Sequence, residues 1–94
     1  YFFFMETQNK LDELRSKIDK CDNKILNLLD DRFKIALKIG KLKKDKNLLI
    51  EHKDRENEIL KRLANNSDDI DLRHIEYIFK TIFKVSKDIQ AKQK

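Results

Sequence analysis

Ten positions in the first half of the chain alternate in spacing between three and four residues: Leu11, Leu14, Ile18, Cys21, Ile25, Leu28, Arg32, Ile35, Ile39 and Leu42. This is the seam of a long amphipathic helix, and it is incompatible with the period-two alternation of a half-buried strand. Nine of the ten positions are apolar; the seventh is an arginine. A guanidinium in such a seam loses much of its water, which costs several kcal/mol unless an anion or a hydrogen-bond partner compensates. No other seam position is acidic. Arg32 therefore reads as a residue kept to hold something negative.

Composition agrees with helices. The 94 residues contain no proline and one glycine, 41% are charged and 9% aromatic. Such a chain favours long helices over a β-rich fold and has the length of one domain. A domain this small buries only about two-thirds of its unfolded surface, so self-association would help it. Net charge is +5, from 22 Lys and Arg against 17 Asp and Glu, which suits anionic partners. The basic residues are spread along the chain and interleaved with acids, without a basic stripe or an aromatic platform, so nucleic acid is not the expected partner. A single cysteine excludes an intramolecular disulfide, and Cys21, in the seam, is expected to be a small buried hydrophobe. His52 and His74 without paired cysteines argue against a structural zinc site, and no metal is expected. No apolar run approaches the ~20 residues that span a bilayer, so no membrane partner is expected. The opening Tyr1-Phe2-Phe3-Phe4 is too short for a signal-peptide core and is read as foreign to a natural chain starting at Met5. A reducing cytoplasm is the expected compartment.

Three helices are expected, without a linker or internal repeat. The first runs from about Gln8 to Lys44, weakened near its end by Gly40, with Lys44-Asp45-Lys46-Asn47 as a connection. The second runs from about Ile50 to Ala64 on a stripe of Leu49, His52, Glu56, Ile59, Leu60 and Leu63. Asn65-Asn66-Ser67-Asp68-Asp69 is a cluster of turn and capping residues. The third helix runs from about Ile70 to Lys92 on a stripe of Leu72, Ile75, Phe79, Ile82, Ser86 and Ile89, with Phe83 and Gln90 beside it. The two shorter helices end to end match the first in length, leaving one broad apolar face uncovered. A second copy would cover it, so a symmetric helical homodimer is expected.

Each helix sets polar groups against its apolar face. Arg32 lies in the first seam, flanked by a seven-residue recurrence of Arg15, Asp22, Leu29, Ala36 and Lys43. Glu56 lies in the second stripe beside Arg55, with His52 one turn earlier. Ser86 and Gln90, four apart, share a face of the third helix near Phe79 and Phe83. Arg32 and Lys43 are about 16 Å apart along a helix axis, a gap two long side chains close around a small ligand. Arg15 and Arg32 are about 25 Å apart and cannot meet one metabolite from the same helix. If Arg15 takes part, it comes from a second, antiparallel copy. There is no nucleophile with an adjacent base and no phosphate loop. A cage of cations and hydrogen-bond donors can bind a dianion, fix its conformation and stabilise charge that develops on an oxygen.

Taken in order, these residues resemble the all-α (AroQ-type) chorismate mutases. The likeness runs from Leu11-Asp12-Glu13-Leu14-Arg15 through Ile18-Asp19, Leu28-Leu29, Arg32, Ile39-Gly40-Lys41-Leu42-Lys43 and Asp54-Arg55-Glu56 to Ser86 and Gln90. It implies an intertwined all-helical dimer with two sites that converts chorismate to prephenate, on the route to phenylalanine and tyrosine, without a cofactor. It also implies roles. Arg32 and the Arg15 of a second copy would hold carboxylate, and Lys43 and Gln90 would donate to the ether oxygen. Arg55 and Ser86 would support the second carboxylate, and Glu56 would accept from the ring hydroxyl. The chain departs from the family in one place. An acidic residue often stands three positions before the equivalent of Arg55, where this chain has His52, which is counted with the substrate-binding set. Glu51 or Asp54 would replace that acid if the helix were shifted or rotated.

Other functions compatible with the pattern are an isochorismate-pyruvate lyase of the same fold and a non-catalytic helical dimerisation or regulatory module. Fusion to, or association with, another shikimate-pathway enzyme is a further expectation of the resemblance.

Overall fold

The computed structural model describes residues 2–50 and 52–92. Three helices occupy most of them: α1 (Phe2–Asp45), α2 (Lys53–Asn66) and α3 (Leu72–Ala91), with no strand among the described residues. The fold is all-α, as the periodicity and composition predict. The helix α1 begins six residues before its expected start, α2 begins three residues late, and α3 is shorter than expected by a residue or two at each end.

The delayed start of α2 has a physical cause at the end of α1. Gly40 does not stop that helix. Asn47 does, in the left-handed region at φ 56°. The amide of Leu48 donates to the carbonyl of Lys43 at 2.7 Å, and the amide of Asn47 donates to that of Lys44 at 3.2 Å. Those two bonds, around a left-handed asparagine, are the Schellman arrangement that satisfies the last carbonyls of a helix. The Lys43 ammonium then donates to the carbonyl of Ile50 at 2.8 Å, drawing residues 48–50 into a loop instead of a first helical turn. Leu49, expected on the second stripe, is therefore a loop residue and 84% exposed.

The N-terminus of α2 is capped weakly. His52 stands at the N-cap without a side-chain bond, and Asp54 and Glu56 in the first turn complement the helix dipole instead. In the turn before α3, Ser67 Oγ accepts from the amide of Ile70 at 3.1 Å. Asp71 then caps α3, its carboxylate accepting from the amide of Arg73 at 2.8 Å.

Helices α2 and α3 form an antiparallel pair. Ile59, Leu60 and Phe83 are its buried centre, with Leu63 and Phe79 packed against them. The Phe79 and Phe83 rings sit 6.2 Å apart at 57°. Each large apolar side chain buried in this way contributes about 1.5–3 kcal/mol. Further along the pair, Glu56 meets Lys87 across the two helices. The matched positions step backward on α3 as they step forward on α2, which fixes the register.

The chain comprises two compact units, residues 1–32 and 33–94. In the second, α1 contributes Ala36 and Gly40 as buried residues, while Ile35, Ile39 and Leu42 of the seam are exposed. The row that packs within this unit is thus the one flanking the seam. In the first unit every described residue from 2 to 28 is exposed, seam residues Leu14, Ile18, Ile25 and Leu28 among them. Cys21 is exposed as well, contrary to the buried position that its place in the seam predicts. A seam residue is covered only when something lies on the seam, and these side chains stand exposed. No helix among the described residues is long and apolar enough to cross a membrane.

Candidate active site

The second unit brings the end of α1, the start of α2 and the end of α3 together. Gly40 is buried where α3 passes. A Cβ added there would stand 3.0 Å from the Cα, the Cβ and the Cγ of Gln90. The missing side chain thus allows the approach that sets Gln90 against α1. Gln90 itself is partly buried, and its Oε1 is buried with no hydrogen-bond partner among the described residues. An unsatisfied buried amide oxygen costs about 1–3 kcal/mol, a cost that a hydrogen-bonding ligand would offset.

Lys43 lies three residues beyond Gly40, on the same side of α1, and is partly buried. Its bond to the Ile50 carbonyl holds the ammonium at the mouth of the loop between α1 and α2. On α2, Glu56 is partly buried one turn before Ile59 and Leu60. Its Oε2 lies 3.3 Å from the Lys87 Nζ, in an ion pair whose side chains are 24% and 31% exposed. Ser86 is 6% exposed, and its hydroxyl donates to the carbonyl of Ile82 at 2.9 Å.

The remaining predicted residues are on the surface or in the first unit. Arg55 is exposed and pairs with Glu58 at 2.7 Å, so the carboxylate beside it lies three residues after it. His52 and Asp54 are exposed, and Glu51 lies outside the described residues. Arg15 is exposed and Arg32 partly buried, both within the first unit. No group of three or more His, Cys, Asp or Glu side chains suited to a metal ion occurs among the described residues.

Gln90 against Gly40, Lys43 on the adjacent turn, and Glu56 with Lys87 make a polar cluster at the edge of an apolar helix pair. Amide and ammonium donors held near a carboxylate can orient a polar anionic ligand without any covalent step.

Comparison with known proteins gives the family. The family described as Chorismate mutase type II matches residues 14–91. The chain belongs to the chorismate mutase type II family. It is 44% identical over 54 residues to a bifunctional chorismate mutase/prephenate dehydratase of Aquifex aeolicus, a match over 57% of this chain and 15% of that protein. The protein of the same description from Escherichia coli is 33% identical over 84 residues, covering 87% of this chain and 22% of the relative. The chain thus spans about a fifth or less of the length of the curated relatives it matches. Among solved structures, the chorismate mutase from Helicobacter pylori in complex with prephenate has a TM-score of 0.81 and 35% identity, covering 89% of this chain and 97% of that one. A conserved hypothetical protein from Pyrococcus furiosus has a TM-score of 0.73 and 44% identity, covering 86% and 95%.

In this chorismate mutase type II domain, sequence reading missed Lys87 and the role of Gly40. Lys87 follows Phe83 by four, so a helical wheel places it on the side of α3 that faces α2. Its pairing with Glu56 needs the interhelical register, which no single helix carries. Gly40 reads locally as a weak point in a helix; its close neighbour is 50 residues away in sequence.

Proposed function

We propose that this domain catalyses the rearrangement of chorismate to prephenate in the biosynthesis of phenylalanine and tyrosine. The observation that carries the reading is Gln90. The residue is partly buried and set against Gly40, and its Oε1 is buried without a partner among the described residues, at the position where the family pattern has a donor to the ether oxygen. The amide's oxygen and nitrogen exchange places by a half-turn, so the same group serves as donor or acceptor.

In the rearrangement one C–O bond breaks as one C–C bond forms, within a single molecule. Negative charge grows on the ether oxygen as the bond breaks. Lys43 and Gln90 donate to that oxygen in this reading, and donors fixed in advance act where charge develops. Glu56 accepts from the ring hydroxyl. Arg32 and the Arg15 of a second copy hold one carboxylate, while Arg55 and Ser86 support the other. Holding the compact chair-like conformer removes much of the entropic barrier, and no covalent intermediate or cofactor takes part.

A homodimer belongs to the same proposal. It is supported by the apolar stripe Leu14, Ile18, Ile25 and Leu28, which is exposed in one copy. Contiguous apolar surface of this kind marks a protein–protein contact. A cytoplasmic setting and fusion to a prephenate-processing enzyme are further parts of it, the latter supported by the bifunctional relatives.

The test is direct. Purified protein is mixed with chorismate, and loss of the diene absorbance is followed together with appearance of prephenate. Turnover above buffer is expected, and its absence sinks the proposal. Release of salicylate and pyruvate from isochorismate, without prephenate formation from chorismate, would replace it with the lyase reading.

A further inference from the structure

Among the described residues, one interhelical ion pair differs from two local ones. Arg55 with Glu58 and Arg73 with Asp71 are local pairs on exposed side chains. Lys87 with Glu56 joins two helices, 31 residues apart in sequence, and both side chains are more than two-thirds covered. Exposed local pairs contribute little, whereas a covered pair across helices holds its groups in one geometry. It also lies in the polar cluster: Lys87 follows the buried Ser86 and is one turn before Gln90.

Electrostatics gives this pair a task. A dianionic guest and a carboxylate in the same pocket repel each other, and the repulsion grows as water is excluded. Glu56 is nevertheless the carboxylate on this face of α2, and the function proposed above requires it to accept a hydrogen bond from the guest's ring hydroxyl. The Lys87 ammonium rests on Oε2 of Glu56. That contact offsets the negative charge at its source and leaves Oε1 as the oxygen to accept from a hydroxyl.

We propose that Lys87 is a positioning residue for Glu56: it anchors one carboxylate oxygen, compensates the charge, and thereby allows a carboxylate to sit in a site for a doubly negative substrate. The inference rests on the chorismate mutase reading. Lys87 acts through Glu56 and does not itself touch the reacting atoms.

The experiment compares the wild-type chain with Lys87→Met, Lys87→Gln and Lys87→Arg, and with Glu56→Gln alone and combined with Lys87→Met. Steady-state chorismate turnover is measured, and circular dichroism establishes which variants fold. Lys87→Met and Lys87→Gln are expected to raise KM about tenfold while kcat falls by less than about threefold, because substrate repulsion and a misplaced acceptor act mainly on binding. Lys87→Arg is expected to restore KM to within about threefold of wild type. Once Glu56 is glutamine the carboxylate charge is gone, so adding Lys87→Met is expected to change KM by less than about twofold. Should Lys87→Met fail to fold, Lys87→Gln carries the comparison, since its amide can still reach Glu56 as a neutral donor. Unchanged KM in the folded neutral variants overturns the inference and leaves the mutase reading intact. Equal losses from Lys87→Met with and without Glu56→Gln also overturn it, because Lys87 would then act independently of Glu56. Absence of turnover by the wild-type chain overturns the mutase reading and this inference with it.

Discussion

The two units of this chain use the same helical alphabet to different ends. Residues 33–92 bury a centre of Ile59, Leu60 and Phe83, with Ile75 of α3 and Ala36 and Gly40 of α1 also buried. Residues 2–28 carry as regular an apolar stripe, and all of them are exposed. The difference follows from connectivity. In the second unit a short turn at 67–71 lets α3 fold back on α2, so each covers the other's apolar face. The described residues of the first unit, 2–32, are uninterrupted helix, with no turn among them at which the chain could double back. An isolated helix gains most of its stability from packing of its apolar face, so a stripe this long calls for a partner. Periodicity therefore tells that a helix has a face to bury, and connectivity tells whether the same chain can bury it.

That contrast can be broken at several points. The largest stability effect is expected from Phe83→Ala, which empties the centre of the α2–α3 pair and costs about 3–5 kcal/mol. Denaturant unfolding checks it, and a loss below about 1 kcal/mol would mean that the second unit is not held by this cluster. Next comes Leu28→Asp in the exposed stripe. It is expected to leave the α2–α3 pair folded, yet shift the protein to monomer and reduce chorismate turnover about a hundredfold, near 3 kcal/mol. Sedimentation equilibrium and the turnover assay read both, and a fully active dimer would show that this stripe is not the interface. Gly40→Ala is expected to be smaller. Its Cβ would press on the Gln90 backbone, and the overpacking of about 1–3 kcal/mol is partly offset by about 1 kcal/mol of helix propensity. A net loss of about 1 kcal/mol and a roughly tenfold fall in kcat are expected, checked by thermal unfolding and turnover. An alanine that stabilises the fold without touching activity would remove Gly40 from the site.

The smallest effect concerns pH. The Arg73 side chain and amide hydrogen-bond Asp71 and hold its carboxyl below the usual carboxylate range. A lowered folded-state pKa stabilises the fold above the unfolded value of about 3.9, and that contribution fades as pH falls through the folded value. Asp71→Ala is therefore expected to lower stability slightly at neutral pH and to flatten its decline in this acid range. Thermal unfolding from pH 7 down to pH 2.5 checks the slope, and an unchanged slope would remove Asp71 as its source.

The candidate site was legible in part. Glu56, Ser86 and Gln90 stand out in sequence as polar residues on apolar faces, and all three are partly or wholly buried. Lys43 was legible from its place in the recurrence flanking the seam and from the family pattern, although a lysine near a helix end is by itself ordinary in a lysine-rich chain. The start of α2 was misread because Ile50 and Leu49 look helical, while the bond from Lys43 to the Ile50 carbonyl competes with the helix. Asn47, in contrast, is the residue type that a left-handed helix stop prefers.

Local pattern alone determined that this chain makes three helices, and it located the polar residues that interrupt their apolar faces. Both are properties of spacing within one helix, set by a period of 3.6 residues. Only the tertiary structure decided that Ala36 and Gly40 of α1 turn inward while Ile35 and Ile39 stay exposed, that Gln90 lies against Gly40, and that Lys87 meets Glu56. Those pairings depend on the register and approach of helices distant in sequence, which side-chain volumes and a single missing Cβ settle once the helices meet.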